Sequence, residues 1–367
     1  MRIAQVSPLY ESVPPKLYGG TERVVSWLTE ELVRQGHDVT LFASGDSCTS
    51  ANLIPMCPEA LRLSPTCIDE MAHHALMMER VFSYADNFDL IHFHTDYLQF
   101  SLCRRHTVPH VTTLHGRLDA PDLVPLFETF SDIPVISISD AQRTPLPWLN
   151  WQATVYHGLD PREYRLGEGR GNYLAFLGRT SPEKGLDKAI EIAKRAGMPL
   201  RIAAKIDRAD VKYFESVIKP LLKHPLIEFI GEIGDSEKEK FLGDAAALLF
   251  PICWPEPFGL VMTEAMACGT PTIAYAHGSV PEILDHGLTG YIVSDIATAA
   301  TTIGKISNFD RRLCRKIFEQ RFSATRMAND YLAVYERLVR GESTSLTLTH
   351  GAFNWLKLAP SRSSSTT

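Results

Sequence analysis

Two glutamates with a defined spacing are the strongest candidates for chemistry in the sequence. Glu256 precedes a Pro-Phe-Gly turn, and Glu264 lies about one turn inside the helix expected after it. A carboxylate before the turn can accept hydrogen bonds from vicinal hydroxyls, and the second carboxylate can reach another diol such as a ribose. The first backbone N–H groups of the helix suit an anion or a sugar hydroxyl. The segment is therefore a candidate sugar or nucleotide site.

A second segment, residues 178–185, carries two cations. Arg179 and Lys184 lie between Gly178 and Gly185, where a strand is expected to end and a helix to begin. Such a pair can neutralise the charge that develops on a departing diphosphate without a metal ion. An exposed basic turn has the same composition, so this assignment depends on the neighbouring glutamates.

The first expected helix follows two adjacent glycines. Gly19 and Gly20 let backbone amides approach a phosphate or an acceptor closely, although such a pair is often only a flexible turn. Arg23, one turn further on, is a candidate acceptor contact, and a surface arginine is the simpler interpretation.

Histidines mark the ends of two further strands. His92 and His94 are two positions apart and share one face of a strand, Asp96 follows them, and His115 ends another strand. No further ligand accompanies them at a suitable spacing, so no metal site is predicted. His94 and Asp96 are candidate acceptor contacts.

Parallel doubly wound sheets are the expected scaffold, because short apolar strands alternate with helical stretches. A helix at residues 21–35 would be capped by Thr21, and residues 44–80 are expected to form a loop with one helix near 73–81. Strands of the first series are expected at residues 3–6, 37–43, 90–94, 110–114 and 135–139. Strands of the second series are expected at residues 173–178, 200–204, 227–230, 247–250, 272–274 and 291–293.

Bulk properties limit the possible functions. A chain of 367 residues exceeds what one core usually supports, and its net charge of −6 argues against a nucleic-acid partner. Seven cysteines without a CxxC pair indicate reduced thiols and a cytoplasmic protein. We recognise no signal segment and no apolar run of membrane-spanning length, so membrane contact is expected to be at most peripheral, at the inner face. The oligomeric state is not predicted.

A family resemblance becomes specific at residues 256–271, EPFGLVMTEAMACGTP. They resemble the E-x7-E signature of retaining glycosyltransferase family 4, which has the GT-B fold. In that family the first glutamate contacts the donor sugar and the second the nucleotide ribose. Residues 278–283 are similar to the family's G-G-x-P-E-x, with Ser279 at the second glycine, where positive φ would be less favourable. The resemblance covers residues 1 to about 340.

Other segments resemble family features as well. Residues 178–185 are similar to its phosphate clamp, Gly19 and Gly20 to its glycine-rich loop, and His115 to its cleft histidine. His157 replaces the usual Asn of the interdomain N-G-[IV]-D motif. The catalytic residues that the resemblance implies are His115, Glu256, Arg179 and Lys184. The donor-binding residues that it implies are Gly19, Gly20, Gly178, Gly231, Glu232, Ile233, Pro257, Phe258, Gly259, Leu260 and Glu264, with the nucleotide base near Gly231–Ile233.

The implied organisation is two Rossmann-like doubly wound parallel-sheet domains facing an interdomain cleft. We expect an acceptor domain at residues 1–158, a linker at 159–172 and a nucleotide-sugar domain at 173–321. A helix at residues 322–340 is expected to pack back on the first domain, before a Ser- and Thr-rich tail at 341–367 that is expected to be disordered.

The implied activity is transfer of a hexosyl unit from a nucleoside-diphosphate sugar, with UDP-hexose favoured, to an acceptor hydroxyl. The donor is a co-substrate, and no cofactor or metal is expected. A GT-B sugar-nucleotide epimerase and a non-catalytic sugar-nucleotide-binding protein are the alternatives. A dehydrogenase is disfavoured because neither domain has G-x-G-x-x-G after its first strand. Polysaccharide, lipid-linked and small-molecule acceptors all stay open.

Overall fold

The computed structural model describes residues 1–16 and 19–342, without the side chains of residues 235 and 236. The tail expected to be disordered lies outside the described residues from residue 343 onward. Within the described part, no helix is both long and apolar enough to cross a membrane.

Seven parallel strands form the first sheet, in the order β3-β2-β1-β4-β5-β6-β7. Most residues of the inner strands are buried because both faces of a parallel sheet are covered by helices. The strands are β1 Arg2–Val6, β2 Asp38–Ala43, β3 Asn52–Pro55, β4 Leu90–Phe93, β5 His110–Thr113, β6 Val135–Ser137 and β7 Trp151–Thr154. The helices are α1 Gly20–Arg34, α2 Glu70–Ser83, α3 Phe100–Cys103, α4 Leu123–Thr129 and α5 Asp140–Arg143.

Six parallel strands form the second sheet, in the order β10-β9-β8-β11-β12-β13. The strands are β8 Leu174–Arg179, β9 Leu200–Lys205, β10 Ile227–Gly231, β11 Ala247–Phe250, β12 Thr272–Tyr275 and β13 Gly290–Val293. The helices are α6 Leu186–Ala196, α7 Val211–Tyr213, α8 Lys219–Leu221, α9 Asp235–Asp244, α10 Leu260–Ala267, α11 Val280–Ile283, α12 Ile296–Ile303, α13 Arg311–Arg321 and α14 Ala324–Val339. A π-helical stretch, Phe214–Ile218, joins α7 to α8.

The strand order reverses at one point in each sheet, between β1 and β4 and between β8 and β11. Connections leave in opposite directions there, which opens a crevice at the carboxyl ends of the strands. The loops at these two points contain residues 7–19 and 94–99 of the first sheet and residues 180–185 and 251–259 of the second. Among the candidate residues, these loops carry Gly19, His94, Asp96, Lys184 and residues 256–259.

The chain crosses from one domain to the other twice, and the two crossing segments contact each other. Leu159 forms an isolated parallel bridge with Ser323, and the Gly158 backbone approaches Ser323 so closely that a Cβ there would collide with its carbonyl oxygen. After this crossing α14 returns to the first sheet, where Tyr331 and Tyr335 are fully buried. The last described helix therefore completes the core of the first sheet.

The predicted fold class of two doubly wound parallel sheets is confirmed, with three local corrections. Thr21 does not cap α1, because the helix begins one residue earlier and Gly19 occupies the capping position. Residues 44–80 contain the edge strand β3 besides the helix. Strand β7 was not predicted, since its sequence, WQAT, is short and half polar.

Candidate functional site

Glu256 lies in the loop after β11 and pairs with a cation from the loop after β8. Its Oε2 atom accepts hydrogen bonds from Lys184 Nζ at 2.5 Å and from Trp254 Nε1 at 2.9 Å. The Lys184 ammonium also lies over the Trp254 ring, 5.1 Å from its centroid. Both charged side chains are largely buried, with 16% and 10% of the Lys184 and Glu256 side chains exposed. The two side chains that were predicted to contact a sugar and a phosphate are thus brought together.

Gly278 and Ser279 hold the backbone of Glu256. Gly278 has φ of +57°, and a Cβ there would collide with the Glu256 amide nitrogen and carbonyl oxygen. The Ser279 amide donates to that same carbonyl at 3.0 Å, and its hydroxyl donates to Phe258 O at 2.8 Å. Ser279 itself has φ of −74°, so no left-handed residue is needed where the family pattern has its second glycine.

The turn after Glu256 ends at Gly259, which has φ of +79°, and α10 begins at Leu260. The ring of Phe258 packs inside the protein. Its side chain is 2% exposed and contacts the rings of His157 at 4.6 Å and Phe322 at 6.3 Å. The ring therefore fixes the turn against the interdomain crossing, and a donor contact of Phe258 could involve only its backbone.

Arg179 ends β8 and points toward two carboxylates of its own domain. Its guanidinium donates to Glu183 at 2.9 Å and lies 4.0 Å from Asp207. The turn that carries both cations is held to the next loop, since Cys253 N donates to Glu183 O at 3.0 Å. At Gly185, with φ of +71°, a Cβ would collide with Pro251 O. The loops after β8 and β11 therefore form one packed unit.

Glu264 is buried inside α10, with its residue 4% exposed. Its Oε1 atom accepts hydrogen bonds from Lys238 Nζ at 2.9 Å and from Tyr164 OH at 3.1 Å. Neither partner was predicted, because Lys238 belongs to α9 and Tyr164 to the linker, and no local motif marks them. A ligand diol at Glu264 would meet an ammonium and a phenol as well.

The expected base-binding segment follows β10. Gly231 has φ of +83°, Ile233 is partly buried, and Glu232 is exposed. Glu232 lies close enough to Glu11 of the first domain to influence it. Burial raises the pKa of the Glu11 carboxyl, the Arg62 guanidinium opposes this shift, and the negative charge of Glu232 adds to it.

The glycine-rich loop of the first domain faces the start of α10. A Cβ added at Gly20 would lie 3.5 Å from Leu260 Cδ1, whereas Gly19 packs tightly against Pro15.

Arg23 does not lie with the other acceptor candidates, His94 and Asp96. It is 5% exposed and lines a cavity of about 280 Å³ with Glu239 of α9, among other residues. Arg23 thus lies on the Tyr164 side of the interface, since Tyr164 lines the same cavity.

The candidate histidines form one buried group with His157, which we call the histidine cluster: His92, His94, His115 and His157. His94 is 1% exposed, and its ring nitrogens lie 2.8 Å from Gln5 Oε1 and 2.8 Å from His115 Nε2. The acceptor role of His94 is therefore corrected, because both nitrogens are used inside the protein. His115 stacks on His157 at 5.3 Å with an interplanar angle of 17°.

Asp96 alone of the three acceptor candidates is exposed, and it has φ of +51°. It lies beside Tyr10, whose pKa is raised by burial and by the negative charges of Glu70 and Asp96. This carboxylate is available to a ligand from the first-domain side of the crevice.

Two contacts join the domains at the crevice. Glu282 of α11 accepts hydrogen bonds from the amides of Asp140 and Ala141, both at 2.7 Å, and from Tyr156 OH at 3.1 Å. Ser139 caps α5, and its hydroxyl accepts a hydrogen bond from Gln142 N at 3.0 Å. The carboxylate of the second domain therefore completes the amino end of α5 in the first.

The other contact between the domains is a cation–π interaction. The Arg117 guanidinium lies 5.7 Å from the centroid of the Trp254 ring. Arg117 follows His115 by two positions, and Lys184 also lies over the Trp254 ring. His115 and Lys184 are thus on facing walls of one crevice, which supports placing them in one candidate site. Pro257 is buried and Gly178 is partly exposed at the end of β8. No group of three or more His, Cys, Asp and Glu side chains within the described residues could hold a metal ion.

Comparisons with known proteins agree with this geometry. The family model for glycosyl transferases group 1 matches residues 163–309, and the model for glycosyltransferase family 4 matches residues 18–174. An uncharacterized glycosyltransferase of Methanocaldococcus jannaschii is 25% identical over 337 residues, which are 79% of this chain and 84% of that protein. A D-inositol 3-phosphate glycosyltransferase of a Mycobacterium species is 34% identical over 164 residues, 41% of this chain and 33% of that protein.

A solved structure shares the fold at low identity. Anabaena HepE, crystallised in complex with UDP-glucose, aligns with a TM-score of 0.67 and 20% identity over 92% of this chain and 99% of that one. The two family models meet at the linker, and the point where the strand order of the second sheet reverses carries Glu256, Arg179 and Lys184 of the expected signature. The chain belongs to glycosyltransferase family 4 and has the GT-B fold.

Proposed function

We propose that this glycosyltransferase moves a hexosyl unit from a UDP-sugar, such as UDP-glucose, to an acceptor hydroxyl, with retention at the anomeric carbon. The observation that carries the proposal is the contact of Lys184 with Glu256 at the carboxyl ends of β8 and β11. It joins a hydroxyl-binding carboxylate to a phosphate-binding cation within one salt bridge. The UDP-glucose bound to Anabaena HepE supports the choice of donor.

Glu256 would hold the sugar through its free oxygen. Oε2 accepts hydrogen bonds from both Lys184 and Trp254, whereas among the described residues Oε1 has no hydrogen-bond partner. A sugar hydroxyl could donate to Oε1 without displacing the cation. Lys184 has two further N–H bonds with which to contact a phosphate.

The diphosphate would lie between Arg179, Lys184 and the first amides of α10, across from Gly20. These groups stabilise the negative charge of the leaving UDP, and charge-assisted contacts of this kind contribute the most to such a transfer. No cofactor or metal is needed for this role. The ribose would lie at Glu264 and the base near Gly231 and Ile233.

The reaction exchanges one C–O bond for another. The bond from the anomeric carbon to the β-phosphate oxygen breaks, and a bond from that carbon to the acceptor oxygen forms on the same face. The acceptor proton passes to the leaving phosphate oxygen, so charge and atoms balance. This same-face route requires no carboxylate nucleophile on the opposite face of the sugar.

A panel of nucleotide sugars tests the proposal, with thermal shift and hydrolysis as readouts. We expect a UDP-hexose to stabilise the wild type and to be slowly hydrolysed, with both effects lost in Glu256→Ala. Glu228→Ala is the matched control, since Glu228 pairs with Arg201 on the exposed side of the second sheet. If no nucleotide sugar is bound or consumed by the wild type, the proposal is wrong. Unchanged turnover in EDTA is expected, and strict metal dependence would contradict the charge assignment.

The same panel separates the alternatives. An epimerase would convert a UDP-sugar to its epimer with no acceptor present. A non-catalytic binding protein would give a thermal shift without hydrolysis or transfer to any acceptor. Either result would exclude hexosyl transfer.

A further inference from the structure

The histidine cluster contains a continuous hydrogen-bond path from α14 to His115. Tyr335 OH lies 3.3 Å from Gln5 Nε2, Gln5 Oε1 lies 2.8 Å from His94 Nε2, and His94 Nδ1 lies 2.8 Å from His115 Nε2. Tyr335 and Gln5 are fully buried. The path joins residues that are 330 positions apart in the sequence.

The orientation of the Gln5 amide determines which nitrogen of each ring carries the proton. The amide oxygen only accepts, so His94 Nε2 must donate to it. A neutral imidazole carries a single N–H, so His94 Nδ1 accepts, and His115 Nε2 must then donate to it. This leaves His115 Nδ1 as an acceptor with a free lone pair.

The rings of the path are neutral, as this reasoning requires. Burial lowers the pKa of His115 to about 3 and lowers the pKa of His94 well below its usual value. Two protonated histidines side by side would also repel each other. A positive charge on His115 would therefore lower the pKa of His94 further.

His115 Nδ1 is a buried polar atom that has no hydrogen-bond partner among the described residues. A buried acceptor without a partner costs about 1–3 kcal/mol, so such atoms in native proteins need an explanation. His157 covers one face of the ring, and the following residues, Gly116 and Arg117, line the crevice opposite Trp254. A ligand hydroxyl that donates to Nδ1 would satisfy it.

Tyr335 contacts the nitrogen end of the Gln5 amide. Gln5 Nε2 donates to Tyr335 OH, while the phenol hydroxyl lies 2.6 Å from His92 Nδ1 and can donate to it. With the amide reversed, the same path would run in the opposite sense and present an N–H at His115 Nδ1. The helix that returns from the second domain therefore contacts the amide whose orientation sets the chemical group at His115 Nδ1.

We propose that Tyr335, Gln5 and His94 are positioning residues that hold His115 in its Nε2–H form, so that its Nδ1 lone pair accepts a hydroxyl of the transferred sugar. This assignment rests on the proposed function for the identity of the ligand. The proton position itself does not, because it can be measured without any substrate.

Nitrogen-15 NMR of histidine-labelled protein tests the proton position. Long-range correlations at neutral pH should show His115 protonated at Nε2 and bare at Nδ1. Gln5→Leu and Tyr335→Phe should each give a mixture of the two forms, whereas Gln5→Glu should keep the wild-type form because a carboxylate also accepts from His94. Tyr173→Phe is the matched control, since it removes a buried phenol hydroxyl that donates to Phe241 O in the second domain, away from the path. An Nδ1–H form in the wild type, or no change in Gln5→Leu and Tyr335→Phe, would overturn the proposal.

Kinetics with deoxyfluoro donors test the ligand contact. Fluorine cannot donate a hydrogen bond, so one analogue should lose at least about tenfold in kcat/KM with the wild type. The same analogue should lose much less in Gln5→Leu than in Gln5→Glu. Equal losses in both variants would exclude the sugar contact. If the wild type consumes no nucleotide sugar at all, the proposed function fails while the NMR result still decides the proton position.

Discussion

Lys184 Nζ lies 2.5 Å from Glu256 Oε2, although the two residues come from different loops of the second sheet. A donor diphosphate would share this ammonium with Glu256, and a sugar hydroxyl would approach the other oxygen of the same carboxylate. The two binding events are therefore coupled through one salt bridge.

Lys184→Gln is expected to lower kcat by about 10²–10³, because one charge-assisted contact to the leaving phosphate is lost. Steady-state kinetics with the identified donor provide the measurement. The control is Lys188→Gln, which removes a cation that lies over the Tyr275 ring 5.5 Å from its centroid. A kcat within twofold of the wild type in Lys184→Gln would contradict the phosphate assignment.

Gly278→Ala is expected to displace Glu256 and abolish activity, because its Cβ would collide with the backbone of that residue. Gly287→Ala is the matched control: Gly287 has φ of +84° and no atom within 4 Å of an added Cβ. This control should lose only about 1–2 kcal/mol of unfolding free energy and keep its activity. Urea unfolding and kcat of both variants provide the comparison, and similar activity in the two would show that the contact can relax.

Glu282→Ala is expected to loosen the domains, since two amides at the start of α5 would lose their acceptor. Small-angle scattering should show a larger radius of gyration, and kcat/KM should fall with it. Asp285→Ala is the control, because Asp285 pairs with Arg321 inside the second domain at 2.7 Å. A radius that changes equally in both variants would assign the effect to local unfolding instead.

Glu22→Gln is expected to change the pH dependence of stability. Burial raises the pKa of the Glu22 carboxyl from 4.5 to about 7, and the negative charge of Glu11 contributes. The folded state thus binds the proton more tightly, so wild-type stability falls as the pH rises from about 4.5 to about 7. Glutamine has no such proton to lose, so above pH 7 the variant should be the more stable by up to about 3 kcal/mol.

Urea unfolding of wild type and Glu22→Gln at several pH values measures this difference. The buried histidines titrate in both proteins and cancel in the comparison. The difference should be smallest below pH 4.5, where the wild-type carboxyl is protonated in both states. A difference that does not grow with pH would contradict a neutral Glu22.

Local patterns predicted the elements of the fold well where the apolar period was strong. Helix α14 lies within the predicted range of 322–340, since its buried residues repeat along one stripe, and β11 is a short apolar run. Helix α1 began one residue early because glycine, without a side-chain cap, can occupy the capping position. Strand β7 was missed because its WQAT sequence is only four residues long and half polar.

The candidate site was predictable only as far as motifs extend. Glu256 and Lys184 were identified from separate motifs, but their salt bridge was not, since it depends on how two loops pack. Phe258 belongs to the signature, yet no sequence pattern states that its ring turns inward. Tyr164 is 100 positions from Glu264, and only the folded chain brings its hydroxyl to that carboxylate.

The return of α14 to the first sheet also has a consequence for how the protein is made. Tyr331 and Tyr335 are among the largest fully buried side chains, and they cover polar groups of strands that are synthesised near the start of the chain. When only residues 1–154 of a nascent chain have left the ribosome, Tyr331 and Tyr335 are not yet available to the first sheet. The amino-terminal half should therefore emerge from the ribosome with Gln5 and His92 still open to water, and reach its final packing only when Val339 has been translated.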